Sequence, residues 1–340
     1  MKILICASNM MHIKNFHIPY IEKFRQNGNE VKILSYGEDA DFNVPFKKRV
    51  LSIKNLILTF KIRKILKKEK FDTVYLHTTL CAFFVRLALK GMKKRPYVVN
   101  TVHGYLFSKD TSFLKRKIYL LCEKAVRKQT DDIVVMNRED YGIATKNKLC
   151  INKVFFSYGM GITLPTLPST EKSCSDKTRL VFVGEISKRK NQAFLVNALR
   201  RLPDCTLTLV GDGGERKYIE KLSKRLNVSD RLHITGFTKD VYSHILNSDI
   251  YVCASEIEGL PFNIMEAMHV GLPIVASDVK GNRDLLPTEC LYKLNDENEY
   301  VARILSIKDI KMSYDVEKYR LDVFPMCAVN GSAADRRRAE

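Results

Sequence analysis

Short, unbroken apolar runs alternate along most of this chain with longer segments in which apolar residues recur every three or four positions. The runs have strand length and the periodic segments have helix length. A strand that reads as continuously apolar is covered on both faces, so the pattern predicts a doubly wound α/β fold with parallel sheets. In the first half the strands are KILICAS (2–8), EVKILSY (30–36), DTVYLHT (72–78), YVVNTVHG (97–104) and DIVVMN (132–137), with helices near 14–27, 53–69, 80–91 and 113–128. In the second half they are RLVFVG (179–184), CTLTLVG (205–211), RLHITG (231–236), DIYVCAS (249–255) and PIVAS (273–277), again with helices between. Residues 158–178 hold Gly, Pro and Ser without periodicity and read as a linker. The pattern thus places two Rossmann-like domains at 1–165 and 166–325. Residues 326–340 change character, with Ala and Arg in place of Ile and Lys, and read as foreign to the rest of the chain.

Charge changes the picture of the first half. Residues 1–170 hold 31 Lys and Arg against 13 Asp and Glu, a net of +18 out of +19 for the 340-residue chain. Such a surface fits an acidic partner, either nucleic acid or an anionic membrane. Helix 53–69 is basic and amphipathic, with Leu56, Ile57, Phe60, Ile65 and Leu66 available for one face, and it either packs on the sheet or lies on lipid. Helix 114–129 has the same two options. No segment approaches twenty uninterrupted apolar residues, and MKILICASN reads as a strand rather than a signal peptide, which predicts cytoplasmic residence. Nine cysteines are scattered from Cys6 to Cys327 without a Cys-x-x-Cys pair, which argues against a zinc site or a disulfide framework.

Chemistry concentrates in EGLPFNIMEAMHVGLPIVASDVKGNRDLL (258–286). Glu258 and Glu266 have seven residues between them, and Gly259, Leu260 and Pro261 form a turn between a strand and a helix. Proline is favoured as a first helical residue, so the helix is expected to begin at Pro261. Its N–H groups and positive end would favour a phosphate by up to about 2 kcal/mol. The two carboxylates would flank that anion and accept from hydroxyls. A ligand with hydroxyls at both ends and phosphate in the middle is a nucleotide sugar.

This segment resembles the retaining glycosyltransferases of family 4, the capsule and exopolysaccharide branch of the GT-B fold group. The resemblance rests on the Glu-x7-Glu spacing, on EAMHVGLPIVAS and on Gly281-Asn282-Arg283-Asp284. It implies two Rossmann-like parallel-sheet domains facing a central cleft. It implies that Glu258 holds the donor sugar and Glu266 the ribose, with Gly259, Leu260, Phe262, Asn263 and Arg283 around them. After the strand 179–184 it implies Gly184 and Lys190 at the diphosphate, with Arg189 assisting because Glu185 stands where the family carries arginine. Gly211, with Gly213 and Gly214, forms a turn able to approach the nucleotide, and Gly236 with Phe237 come where the family seats the base. His103, in NTVHGYLF, matches a second family segment and is implied as a catalytic residue at the sugar or the acceptor oxygen, with Gly104 allowing close approach. His12 and His17 would line the acceptor side, while the family's glycine pair is missing from the 9–14 loop.

The implied reaction moves a hexose or N-acetylhexosamine from a nucleoside diphosphate, UDP for preference, to a lipid-linked saccharide acceptor with retention. The expected partners are the nucleotide sugar, the lipid-linked oligosaccharide and an anionic membrane surface, with no nucleic acid, no cofactor beyond the co-substrate and no metal. Asp39-Ala40-Asp41 imitates a metal-binding triplet but reads as an acidic loop. Two alternatives stand beside this reading. A nicotinamide-dependent oxidoreductase lacks its G-x-G-x-x-G after the first strand. A nucleic-acid-binding protein lacks interleaved aromatics, and tryptophan is absent.

Overall fold

The computed structural model describes residues 1–47, 52–168, 175–307 and 312–320, so the 326–340 segment lies outside the described residues. The chain divides into two compact units, Met1–Met160 and a second beginning at Gly161.

In the first unit the elements follow as β1 (Lys2–Cys6), α1 (Met10–Phe16), α2 (Ile18–Gln26), β2 (Glu30–Ser35), β3 (Phe42–Asn43), α3 (Ile53–Glu69), β4 (Thr73–Leu76), α4 (Thr79–Leu89), β5 (Tyr97–Val102), α5 (Phe113–Val126), β6 (Asp132–Val135), α6 (Arg138–Lys146) and β7 (Val154–Phe156). The strands form one parallel sheet in the order β3-β2-β1-β4-β5-β6-β7. The helix expected near 14–27 is two helices. Asn9 caps α1 by accepting from the His12 N–H at 2.9 Å, and Pro19, lacking an N–H, sits in the first turn of a new helix instead of inside an old one.

The second unit runs β8 (Thr178–Val183), α7 (Gln192–Ala198), β9 (Cys205–Val210), α8 (Arg216–Arg225), β10 (Leu232–Gly236), α9 (Val241–Leu246), β11 (Ile250–Cys253), α10 (Phe262–Val270), β12 (Ile274–Ser277), α11 (Asn282–Leu285), β13 (Leu291–Tyr292) and α12 (Glu297–Ile307). Its sheet is parallel in the order β10-β9-β8-β11-β12-β13. The central strands carry four consecutive buried residues each, the cause of the unbroken apolar runs.

Helix α3 does not pack through the face expected of it. Asn55, Ile62 and Leu66 are buried and Leu58 and Ile65 are packed against the core beneath, while Leu56, Ile57 and Phe60 face solvent, Phe60 at 70% exposure. Ile62 and Leu66 each contribute about 1.5–3 kcal/mol by burial beside α4. Asn55 is buried because its carboxamide exchanges two hydrogen bonds with the Lys47 backbone, at 2.9 and 3.0 Å. Helix α5 likewise leaves Phe113, Leu114, Ile118 and Leu121 exposed. Its inner side carries a buried bidentate pair, Arg86 of α4 with Glu123 at 2.9 and 3.0 Å. No helix among the described residues is long and apolar enough to cross a membrane. The seven described cysteines are free.

Candidate active site

In an open parallel sheet, ligands collect beyond the carboxyl ends of the strands where the strand order reverses. In the second unit that point lies between β8 and β11, which are neighbours although β9 and β10 intervene in sequence. The chain leaves β8 at Gly184, whose φ of +145° side chains rarely adopt, and its N–H donates to the Val210 carbonyl at 2.9 Å. A single tight turn, Lys188–Lys190, follows. The chain leaves β11 through Ser255 and Glu258 into α10.

Lys190 and Glu258 meet at this point. The Lys190 ammonium lies 2.6 Å from Glu258 Oε1, and both side chains are buried. Arg189, nearly half exposed, stands 3.6 Å from the other carboxylate oxygen and donates to the Ile257 carbonyl at 3.1 Å. The Glu256 N–H donates back to the Arg189 carbonyl at 2.9 Å, which clips the two loops together. Burial pushes the Glu258 carboxyl up, but the charges of Lys190 and Arg189, with hydrogen bonds from Lys190 and Ser255, outweigh it and hold the group below its ordinary value. Desolvating two such charges costs several kcal/mol per ion, so a buried pair is weak as a source of stability.

Helix α10 begins at Phe262, one residue later than expected, because Pro261 keeps extended dihedrals and acts as the cap. Leu260 is buried beneath the turn, and the Asn263 carboxamide donates to the Val183 carbonyl at 2.5 Å, joining the start of α10 to the end of β8. Glu266 lies one turn into the helix, half-buried, with no cation or donor against it among the described residues. Burial alone pushes its carboxyl up to about 7. Tyr242 of α9 sits near enough to feel its charge, and the Tyr242 hydroxyl is buried without a hydrogen-bond partner. Glu258 and Glu266 both bear on the buried Tyr251 of β11, so the two carboxylates occupy one neighbourhood.

The neighbouring loops press backbone on backbone. A Cβ on Gly211 would stand 2.1 Å from the Gly184 carbonyl oxygen, one on Gly213 would stand 2.2 Å from that of Ile186, and one on Gly281 would stand 2.6 Å from that of Gly259. The spaces above Gly211 and Gly213 are thus filled by protein, while Gly214 has open space. Gly236 ends β10 at φ +77° and bridges to Gly211, and Phe237 beside it is 79% exposed. Arg283 is engaged by Asp278, with Nε 2.5 Å from its carboxylate and Nη2 2.7 Å from its carbonyl. Glu185 is exposed, and its backbone carbonyl accepts from Gln192 at 2.8 Å. A hollow of about 500 Å³ adjoins this loop, lined by Ser187, Lys188, Asn191 and Glu256 among others, and one of about 530 Å³ lies over Arg201 and residues 293–298. Neither is lined by Lys190, Glu258 or Glu266.

In the first unit the strand order reverses between β1 and β4, and here His12, His17, His77 and His103 gather. His103 follows β5 directly and its Nε2 is 3.1 Å from Nδ1 of His77, which follows β4 directly. Ring centroids separate His17 from His77 by 3.9 Å and His12 from His103 by 4.8 Å. Burial holds His12 down at about 4 and keeps the other three well below the usual imidazole value, so all four rings are neutral at pH 7. Thr78 holds the adjoining loop at a strained φ of +64°, its hydroxyl accepting from the Ser8 N–H at 2.9 Å and sharing a hydrogen bond with the Ser8 hydroxyl at 2.7 Å. His77 was legible only as the end of the DTVYLHT strand. Asp39 and Asp41 do not converge: Asp39 pairs with Lys14 at 2.7 Å and Asp41 with Lys32 at 3.2 Å.

Two parallel-sheet units, each with its polar side chains beyond the strand ends at the reversal of strand order, define an enzyme of the GT-B fold. Residues 167–316 match the family profile of the glycosyl transferases group 1 and residues 2–137 that of the glycosyl transferase 4-like family. The chain belongs to this group of glycosyltransferases. It is 27% identical over 328 residues to EpsD of Bacillus subtilis (strain 168), a glycosyltransferase by name, across 89% of this chain and 86% of that protein. It is 27% identical over 300 residues to the UDP-Gal:alpha-D-GlcNAc-diphosphoundecaprenol alpha-1,3-galactosyltransferase of Escherichia coli, across 80% and 75% of the two chains. Among solved structures it resembles Anabaena HepE in complex with UDP-glucose, with a TM-score of 0.70, 17% identity and full coverage of both chains.

Proposed function

We propose that this glycosyltransferase moves a hexose or N-acetylhexosamine from a UDP-sugar to a lipid-linked saccharide, with retention at the anomeric carbon, in bacterial surface polysaccharide synthesis. The observation that carries the reading is the buried Lys190–Glu258 pair beside the start of α10. When the donor enters, its diphosphate takes Lys190 and its sugar hydroxyls take Glu258, exchanging one charge-assisted contact for two. Arg189 adds charge from the rim, in place of the arginine that Glu185 replaces. Glu266 and the Tyr242 hydroxyl, both without partners, supply an acceptor and a donor for the ribose. Gly236 and Phe237 border the base. The E. coli relative named for a UDP-galactose donor and an undecaprenol-linked acceptor, and the UDP-glucose complex of HepE, support this choice of substrates.

In the transfer the bond between the anomeric carbon and the diphosphate oxygen breaks, the acceptor oxygen bonds to that carbon from the same face, and the acceptor proton passes to the departing phosphate. Negative charge grows on the diphosphate. Lys190 and the amino end of α10 stand ready for it, so this step requires no metal. Neutral His103, held by His77, hydrogen-bonds the transferred sugar or the acceptor oxygen, with His12 and His17 beside it on the acceptor side.

The enzyme works at an anionic membrane surface in this reading. Helices α3 and α5 both pack on α4 and both expose apolar residues among lysines and arginines, as a peripheral surface would. Titrating UDP, NAD and single-stranded DNA against the protein tests the reading. UDP binding in the micromolar to millimolar range with neither of the others supports it, and tight NAD or DNA binding without UDP binding overturns it.

A further inference from the structure

Four of the chain's seven histidines lie in one cluster, and the transfer needs no more than one of them at the sugar. One ring nitrogen from each of His12, His17 and His103 lies within 4.8 Å of those of the other two. His17 is 1% exposed, yet neither of its ring nitrogens has a hydrogen-bond partner, and Nε2 of His12 and Nε2 of His77 are also buried without one. Buried polar atoms ordinarily find partners, so four orphaned imidazole nitrogens in one cluster point to a ligand. The group of side chains whose ligand atoms converge here consists of histidines alone among the described residues.

We propose that His12, His17 and His103 bind a first-row transition dication, zinc(II) for preference, with His77 as the hydrogen-bond partner that orients His103. Three neutral imidazoles with no carboxylate are a nitrogen donor set that suits zinc, copper or nickel and not magnesium, calcium or manganese. Zinc–nitrogen bonds of about 2.0–2.1 Å place tetrahedral ligands about 3.4 Å apart, so the rings close by about 1 Å around the ion. When Nε2–H of His103 donates to Nδ1 of His77, the lone pair on His103 Nδ1 is free for the metal, the arrangement by which metal-binding histidines are commonly oriented. His12 and His103 are part-exposed, which gives the ion its approach. The fourth position is left to water or an acceptor hydroxyl. Each ring gives a lone pair and, being neutral already, releases no proton. The cysteine spacing argues against a thiolate zinc site, and no described cysteine belongs to this group of ligands.

Binding is independent of the transfer reaction, but one consequence rests on the role proposed for His103: an ion that takes its lone pair removes it from the sugar, so zinc inhibits transfer. The experiment is titration of the full-length reduced protein with zinc chloride, followed by calorimetry, by thermal melting and by X-ray absorption at the zinc edge. The expected result is one zinc per chain, a nitrogen and oxygen shell without sulfur, and a rise in Tm. His12→Ala and His17→Ala each lose at least tenfold in affinity and lose the Tm rise, while His233→Ala, an exposed histidine of β10, behaves as wild type. His12→Ala, at the more open ring, keeps the test decisive if His17→Ala folds poorly. Failure to bind zinc, a sulfur-containing shell or unchanged affinity in folded His12→Ala overturns the site. Binding without inhibition leaves the site standing and overturns only the role of His103 in transfer.

Discussion

Lys190 and Glu258 form a buried ion pair, 2.6 Å from ammonium to carboxylate, across the two strands where the order of the second sheet reverses. Deleting one partner of a buried pair leaves an uncompensated charge and costs about 3–5 kcal/mol. Lys190→Met is expected to lose stability at pH 7.5 and to recover much of the deficit by pH 5.5. The sign follows from burial, the largest influence on the Glu258 carboxyl, which raises it once the ammonium is gone, opposed only by half-exposed Arg189 at 3.6 Å and the Ser255 hydrogen bond. The folded variant then favours the protonated form, and its penalty shrinks as the pH falls toward the unfolded carboxyl value. In the wild type the same carboxyl is held low, so the pair is intact across that window. Urea unfolding of both proteins at the two pH values measures this, and a deficit that does not change with pH means that Arg189 alone keeps the carboxylate ionised.

Glu266 offers a different pH dependence. Its carboxyl is raised from an ordinary 4.5 to about 7 by burial, so between those values the folded state holds a proton that the unfolded chain does not, and stability falls as the pH rises through that window. Ribose hydroxyls donate to the ionised form. Affinity for UDP-glucose is expected to rise several-fold from pH 6 to pH 8, and Glu266→Gln is expected to flatten the profile. A wild-type profile already flat in calorimetry removes Glu266 from the nucleotide site.

Gly281→Ala tests the packing behind the pair. Its Cβ would stand 2.6 Å from the Gly259 carbonyl oxygen and 3.1 Å from the Glu258 carbonyl carbon, so the loop carrying Glu258 has to move. A shift of about 1 Å at a positioning loop can cost about a hundredfold in turnover. The expected signature is lower kcat/KM with the fold retained by circular dichroism. Unaltered kinetics would show that the loop yields without disturbing Glu258.

On the first unit, Phe60→Ser combined with Phe113→Ser is expected to weaken binding to vesicles containing anionic lipid by tenfold or more, since each phenylalanine is 70% exposed on a basic helix. Raising salt is expected to weaken the wild type as well, because each basic residue near the surface contributes about 1 kcal/mol at ordinary ionic strength. Vesicle co-sedimentation at low and high salt reads both effects, and no change in either marks these helices as solvated surface.

Much of this fold is written in the chain as apolar runs, because a parallel strand buried on both faces cannot be anything but apolar. Elements escaped either because they are short, as β7, three half-buried apolar residues, is, or because their residues lack that signal. β3 and β13 are two residues each, and α6, RE-D-Y-G-I-A-T-K, is polar and short. The face of α3 was misread because Asn55, a polar residue, is buried by hydrogen bonds to the Lys47 backbone while Phe60 is not buried at all. In the site, Glu258 and Glu266 were singled out by their spacing and Lys190 by the family resemblance, and the structure brings Lys190 and Glu258 together because both follow neighbouring strand ends. Tyr242 and His77 were not singled out, because their place depends on which helices and strands become neighbours. Gly211 and Gly213 read as a turn able to approach the nucleotide, and what the structure adds is that a Cβ on either would meet a backbone carbonyl.

Calorimetric titration of UDP into wild type and Lys190→Met under one buffer tests the central claim most directly. A charge-assisted contact of about 1.5–3 kcal/mol corresponds to roughly a 10- to 150-fold change in affinity. The account predicts a loss in that range in a variant whose circular dichroism matches the wild type. Equal affinity for UDP in the two proteins would contradict it.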